Sequence, residues 1–338
     1  MFTIGLDAHY GLYVLCILDR TGQVVQRQTI RGNSKRLMEF LDTLEGPFQI
    51  CYEASCGYGH LYDQLLPRAK RVVVAHPGHL RLIYRSKRKS DRVDALKLAQ
   101  LLHVNVVRSV HVPSQDVRSW RQLIEYRHRE VAKRTRAKNS LRSLLRSHGI
   151  DMPKGATLWT NKGRTWLAGV ELPTPVAALQ RDLLLDELES CEQRVARVER
   201  QLTPLADGHP AVSVLRTIPG VGIRTAEAIV AYIDQAERFQ RSHQVGSYFG
   251  LVPCQDQSAG TNRLGRITRE GPATARKMLV EAAWQGIRRS DRIRQRYERY
   301  LRNDVKRKKI ALVATAHHLV RTMYTMLKTG ESWREAAA

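Results

Sequence analysis

The sequence predicts a multi-domain chain: an α/β N-terminal domain, a helical middle, and a mainly α C-terminal domain. Three observations carry this. Residues 1–112 alternate strand-like apolar runs with helical periodicity. Over 113–206 glycine nearly disappears outside one loop, and helix formers dominate. Residues 207–338 are again rich in helix formers, punctuated by Pro-Gly segments.

In the first domain, FTIGLDA (2–8) is rich in strand formers. LYVLCILDR (11–19) and QVVQRQTI (23–30) flank a turn at Thr21-Gly22 and read as a hairpin. Asn33 or Ser34 caps a helix whose Leu37, Phe40, Leu41 and Leu44 lie at helical spacing. FQICYEA (48–54) is a continuous apolar run, as in a strand buried on both faces. A Gly-Tyr-Gly segment leads into a helix through Leu61, Leu65 and Leu66, and RVVVAH (71–76) is a further buried strand stopped by Pro77-Gly78. Ser90 caps a last helix, DRVDALKLAQLL (91–102). Three strands able to pair antiparallel, then helix, strand, helix, strand, helix, is the order of an RNase H-like domain.

The middle region, 113–206, reads as two long amphipathic helices around a break at 153–169, an antiparallel helical hairpin or coiled-coil arm. The third, 207–338, opens with LRTIPGVGIRTAEAIVAYI (215–233). Its Pro-Gly-Val-Gly resembles a helix-hairpin-helix element, in which Gly220 and Gly222 let the backbone approach a phosphate beside a helix N-terminus.

Charge narrows the function. Lys+Arg number 56 against 32 Asp+Glu, a net charge of +24. Such an excess points to a polyanionic partner. No segment approaches the roughly 20 apolar residues that span a bilayer, and the N-terminus lacks a signal-peptide layout. Five cysteines with no Cys-x-x-Cys pair argue against a zinc ribbon or disulfide framework. They read as small buried hydrophobes in a reducing cytoplasm. Two segments stand out: 118–146, with ten basic and two acidic residues, and 288–309, with eleven and three.

Four carboxylates carry the chemistry. Asp7 and Glu53 lie in separate strand-like runs, while Asp91 and Asp94 share one helix face. An oxygen-rich cluster suits Mg²⁺, with Mn²⁺ an alternative. Two such ions can activate the attacking oxygen and stabilise the leaving one in phosphodiester chemistry. Arg85, Lys87, Arg88, Lys89 and Arg92 stand beside the last two acids and can hold a phosphate backbone or offset their charge.

At Gly-Leu-Asp7-Ala-His, Tyr-Glu53-Ala-Ser and Lys-Ser-Asp91-Arg-Val-Asp94-Ala the chain resembles the DEDD transposases of the insertion-sequence family numbered one hundred and ten. That family includes the pilin-gene inverting recombinases. The resemblance continues through Ile218-Pro-Gly-Val-Gly222, Tyr248-Phe-Gly-Leu-Val-Pro253 and the segment 258–271, and so covers nearly the whole chain. It implies a RuvC-like first domain and a transposase domain whose nucleophilic serine is Ser258 here. The neighbouring hydroxyls usual in the family are replaced by Gln257 and Ala259, and Gly260 is followed by Thr261-Asn262 where the family commonly has a second glycine and a Lys. Ser258 therefore stands as the single candidate in a polar, Gly-bearing loop, with Arg263 and Arg266 after it to stabilise charge on phosphorus.

The resemblance further implies composite sites formed by the acids and the serine, a homo-oligomer (dimer or tetramer), target and donor double-stranded DNA, and a structured noncoding bridge RNA as guide. Nucleoid association in a prokaryotic cytoplasm goes with these. The alternative on the residues alone is a metal-dependent Holliday-junction nuclease acting by hydrolysis, which needs the acids and not the serine.

Overall fold

A computed structural model describes residues 1–83, 90–153, 155–258 and 260–335. The chain divides into two compact units, Met1–Arg118 and Ser119–Ala338.

The first unit is a five-stranded mixed sheet in the order β3-β2-β1-β4-β5. β1 (Phe2–His9), β2 (Leu12–Leu18) and β3 (Val24–Arg31) form an antiparallel meander. β4 (Phe48–Glu53) adds parallel to β1, and β5 (Arg71–Ala75) parallel to β4. The parallel strands need crossovers, and helices α1 (Ser34–Asp42) and α2 (Tyr58–Leu65) supply them. Asn33 caps α1, its side chain accepting from Arg36 N. α3 (Pro77–Ile83) follows β5 where the sequence reads as a stop. A proline is compatible with a first helical position, where its missing N–H is not needed. α4 (Asp91–His103) is capped by Ser90, as expected.

Strand alternation sorts the side chains onto two faces. Ile4, Leu6, Leu15, Ile17, Ile50 and Tyr52 pack with Leu37 and Leu41 of α1 and Leu61 and Leu65 of α2. The opposite face buries Val14, Cys16, Leu18, Cys51, Val73 and Ala75 against Ala95, Leu98, Ala99 and Leu102 of α4. Gly5 belongs to this second face. A Cβ there would lie 2.0 Å from the Ala95 carbonyl oxygen and 2.3 Å from the Ala99 nitrogen. The bare Cα lets the α4 backbone rest directly on β1.

α5 (Gln115–Ser147), which enters the second unit at Ser119, and α7 (Pro175–Asp207) run antiparallel. Arg127 meets Glu199, the buried Glu130 meets Arg194, and Lys138 meets Glu192, so one helix ascends as the other descends. The break between them is not wholly irregular: it holds a 3₁₀ turn at Gly155–Trp159 and α6 (Asn161–Gly169). α8 (Pro210–Arg216) and α9 (Ile223–Ile233) flank the Pro219-Gly220 turn. Arg224 ties α9 to α7, donating to the buried Glu227 at 2.9 Å and to Thr203 Oγ1 at 2.8 Å. α10 (Ser242–Tyr248), α11 (Ala273–Arg289), α12 (Asp291–Leu301) and α13 (Lys308–Thr329) complete the unit. Ile229, Phe249, Leu279, Leu319 and Met323 are central to its core.

Two further features differ from the sequence expectation. β6 (Pro253–Ser258) and β7 (Thr261–Ile267) form a hairpin inside the region read as loop and helix. Its residues are polar and exposed, so no buried alternation signals it. All five cysteines are free; Cys16, Cys51 and Cys191 are buried as expected, but Cys56 and Cys254 are exposed. Among the described residues, no helix is long and apolar enough to cross a membrane.

The Gly5 contact predicts a sharp mutational asymmetry. Gly5→Ala drives a methyl into helix backbone that has no side chain to move aside, and should cost roughly 3 kcal/mol in a urea melt. Gly169→Ala, whose Cβ meets nothing within 4 Å, should shift stability by under about 1 kcal/mol.

Candidate active site

Three of the four acids, Asp7, Asp91 and Asp94, are positioned by the α4–β1 seam. Four helical residues and two strand residues both advance about 6 Å. With Gly5 against Ala95, Asp7 lies two strand residues along and Asp91 four helix residues back, so the two arrive side by side. Glu53 follows Cys51 on the α4 face of β4, at the end of the strand parallel to β1. Asp91 and Asp94 occupy the first turn of α4, where the helix dipole favours negative charge.

Among the described residues, one group has ligand atoms that all lie within 4.8 Å of one another: Asp7, His9 and Asp91. His9 Nε2 is 3.2 Å from Asp7 Oδ1 and 3.8 Å from Asp91 Oδ1. Glu53, exposed, and Asp94, half-buried, stand outside that group. Asp94 is still felt, because burial chiefly, and then the charges of Asp91 and Asp94, push the Asp7 carboxyl above the usual carboxylate range. His9 opposes that rise. His9 is the residue the sequence reading left without a role. Its signal is the spacing Asp-Ala-His, since alternate residues of a strand share a face.

The donor set fits a divalent cation. It offers carboxylate oxygens and one imidazole, around an acid whose negative charge is disfavoured without a counterion. Arg92 is exposed in the first turn of α4 and lines a small cavity with Arg27 and Thr29 of β3. Arg85, Lys87, Arg88 and Lys89 lie outside the described residues.

In the second unit, Ser258 is the last residue of β6, exposed and paired with Thr261 across the hairpin. It lies in a strand end where the sequence reads as a loop. Asp256 pairs with Arg263, so Asp256, Ser258, Thr261 and Arg263 share one face. Gln257 and Asn262 pair on the other, both clustered with Gln255 through its Nε2. Pro253 pairs with Ile267 but Gln255 with Leu264, so β7 carries one extra residue at Gly265-Arg266. Arg263 thus accompanies Ser258 by register, whereas Arg266 sits in the bulge.

The two glycines of the turn between α8 and α9 differ. Gly220 has φ +91°, and a Cβ there would lie 2.5 Å from Gly286 N, so it serves the packing of the turn on α11. Gly222 is the N-cap of α9 and faces open space.

If the acids hold a cation, thermal stability reports it. Mg²⁺ at a hundred times its Kd should stabilise the protein by about 2.7 kcal/mol. Asp7→Asn should melt no lower than wild type without metal, and should gain little when Mg²⁺ is added.

Comparison with known proteins gives these features a context. Residues 212–298 match the model of the transposase IS116/IS110/IS902 family, and residues 4–150 match a transposase model of the IS110 DEDD type. A probable family 20 transposase of Pseudomonas aeruginosa is 27% identical over 98% of both chains. The transposase for insertion sequence element IS1111A of Coxiella burnetii is 26% identical over 98% of this chain and 91% of its own. The transposase for insertion sequence element IS1328 of Yersinia enterocolitica is 26% identical over 83% of this chain and 82% of its own. With both models matched in chain order and the relatives aligned nearly end to end, the chain belongs to the IS110 family of DEDD insertion-sequence transposases, enzymes that cut and rejoin DNA.

Proposed function

We propose that the chain is a site-specific recombinase that moves its insertion sequence by cutting and rejoining double-stranded DNA through a phosphoserine on Ser258. A structured noncoding bridge RNA selects target and donor, and Asp7, Glu53, Asp91 and Asp94 hold Mg²⁺ for the chemistry. The observation that carries this is the meeting of Asp7 and Asp91, with His9 in reach of both, where the end of β1 lies beside the first turn of α4. The mixed sheet order, an antiparallel meander extended by two parallel strands, supports a RuvC-like reading of the first domain.

Bound Mg²⁺ would supply Lewis-acid stabilisation of phosphate charge and ease deprotonation of an oxygen nucleophile. The chain's own residues do the rest. Ser258 Oγ bonds to phosphorus as a DNA P–O bond breaks, and the serine proton is lost while the leaving oxygen gains one. Rejoining reverses this: a DNA hydroxyl attacks the phosphoserine and frees Ser258. Arg263, on the serine's face of the hairpin, offsets phosphate charge. His9 adds a third donor between Asp7 and Asp91.

The basic surface supports nucleic-acid partners, unevenly. In α5, Arg121 donates to Ala231 O, Arg127 to Glu199, and Lys138 pairs with Glu192, so part of that segment's charge is spent inside the fold. The 288–309 segment keeps most of its cations exposed. Val176, Leu179 and Leu183 form an exposed apolar stripe at helical spacing on α7, which favours a coiled-coil contact with another copy and hence an oligomer.

Trapping on suicide DNA tests the reading. With Mg²⁺ and its copurified RNA, the wild type should form a covalent adduct. Ser258→Ala, Asp7→Ala and ribonuclease treatment should each abolish it. An adduct that survives Ser258→Ala, or full hydrolytic cleavage by that variant, contradicts the serine's role.

A further inference from the structure

Apart from the acids and the serine hairpin, the second unit carries a cavity of about 490 Å³ where α11 meets the helix-hairpin-helix element. Gly220, Thr225, Glu281, Trp284, Gln285 and Leu312 contribute to its lining. Gly220 brings the turn against α11 and so sets one wall. Glu281, Trp284 and Gln285 project from successive turns of one α11 face.

Trp284 is 43% exposed. One turn on, the Arg288 guanidinium stands over its ring, 5.0 Å from the centroid, without lining the cavity. The indole is therefore braced by a cation and still open to the cavity. Aromatic and aliphatic walls with a short polar fringe (a hydroxyl, a carboxamide and a carboxylate) match a flat heterocycle with edge donors and acceptors. Unpaired nucleobases are recognised by such stacking plus edge contacts. A carboxylate at the fringe disfavours phosphate inside and suits an exocyclic amino group. Phosphate has a place outside, because Arg288 and Arg289 are exposed and open the segment 288–309, with eleven Lys/Arg against three Asp/Glu.

We infer that this cavity seats an unpaired nucleobase stacked on Trp284, its adjoining phosphate on Arg288 and Arg289. The site rests on the reading of 288–309 as a nucleic-acid contact. A base held in a duplex cannot offer its face to the indole, so the ligand is a single-stranded or extruded nucleotide. Guide RNA and a melted DNA strand share that chemistry.

The test uses the full chain with fluorescein-labelled single-stranded RNA and DNA of one sequence, and with the matching duplex, over a salt series. Trp284→Ala and Trp284→Leu should each weaken single-strand binding roughly tenfold, leave duplex binding unchanged and leave the salt slope unchanged. Trp284→Phe should restore most of the affinity. Arg288→Gln should lower the salt slope by about one. Loss confined to RNA assigns the base to the guide, and loss confined to DNA assigns it to a melted strand; either supports the site. Wild-type affinity in Trp284→Leu, equal losses on duplex and single strand, or a changed sedimentation coefficient with single-strand affinity intact would each overturn it. A wild-type salt slope near zero would instead remove the backbone-contact reading, separately from the Trp284 comparison.

Discussion

The first unit depends on one contact between backbones. Gly5 has no side chain, and Ala95 and Ala99 present only methyl groups, so α4 lies directly on β1. A larger residue at any of the three would lift the helix. The acids of the first helical turn would then move away from Asp7, although their own sequence would be unchanged. The same contact explains the electrostatics. It brings Asp91 and Asp94 toward a partly buried carboxyl: burial chiefly, and then their charges, push the Asp7 carboxyl above the usual carboxylate range, and His9 opposes the rise. Positive charge at this end of the sheet favours the ionised acids.

The large positive charge has a divided role. In α5 a cluster of arginines and a lysine is consumed by carboxylates and carbonyls of the same unit, where it fixes the pairing of α5 with α7 and α9. Such pairs act through geometry more than through large net energies. The cations from Arg288 onward are mostly exposed and follow Trp284, whose indole is 43% exposed and lines the cavity. Net charge alone does not separate these two uses; the hydrogen-bond and ion-pair partners of each cation do. The exposed hairpin bearing Ser258 follows the same logic. With no buried residue in β6, the hairpin is held by its cross-strand pairing with β7.

Much of the sheet was legible because buried strands leave continuous apolar runs and helix starts leave caps: Asn33 and Ser90 both bond as their positions suggest. The sequence suggests an oxygen-rich cluster of Asp7, Glu53, Asp91 and Asp94; the placing of Asp7 beside Asp91 depends on Gly5, whose meaning appears only with α4 laid on top. His9 carries no distinctive sequence signal, since a single imidazole beside an acid has many uses. α3 was hidden by a proline that also reads as a breaker, and α6 by a loop-like composition. The β6–β7 hairpin escaped because exposed polar strands carry no hydrophobic period, and its bulge at Gly265-Arg266 follows from register alone.

Anomalous diffraction from crystals soaked in Mn²⁺ tests the central claim most directly. The account predicts a strong anomalous peak bounded by Asp7 and Asp91, reached by His9, and absent from Asp7→Asn crystals. A peak elsewhere with none at these residues, or an unchanged peak in Asp7→Asn, would contradict it.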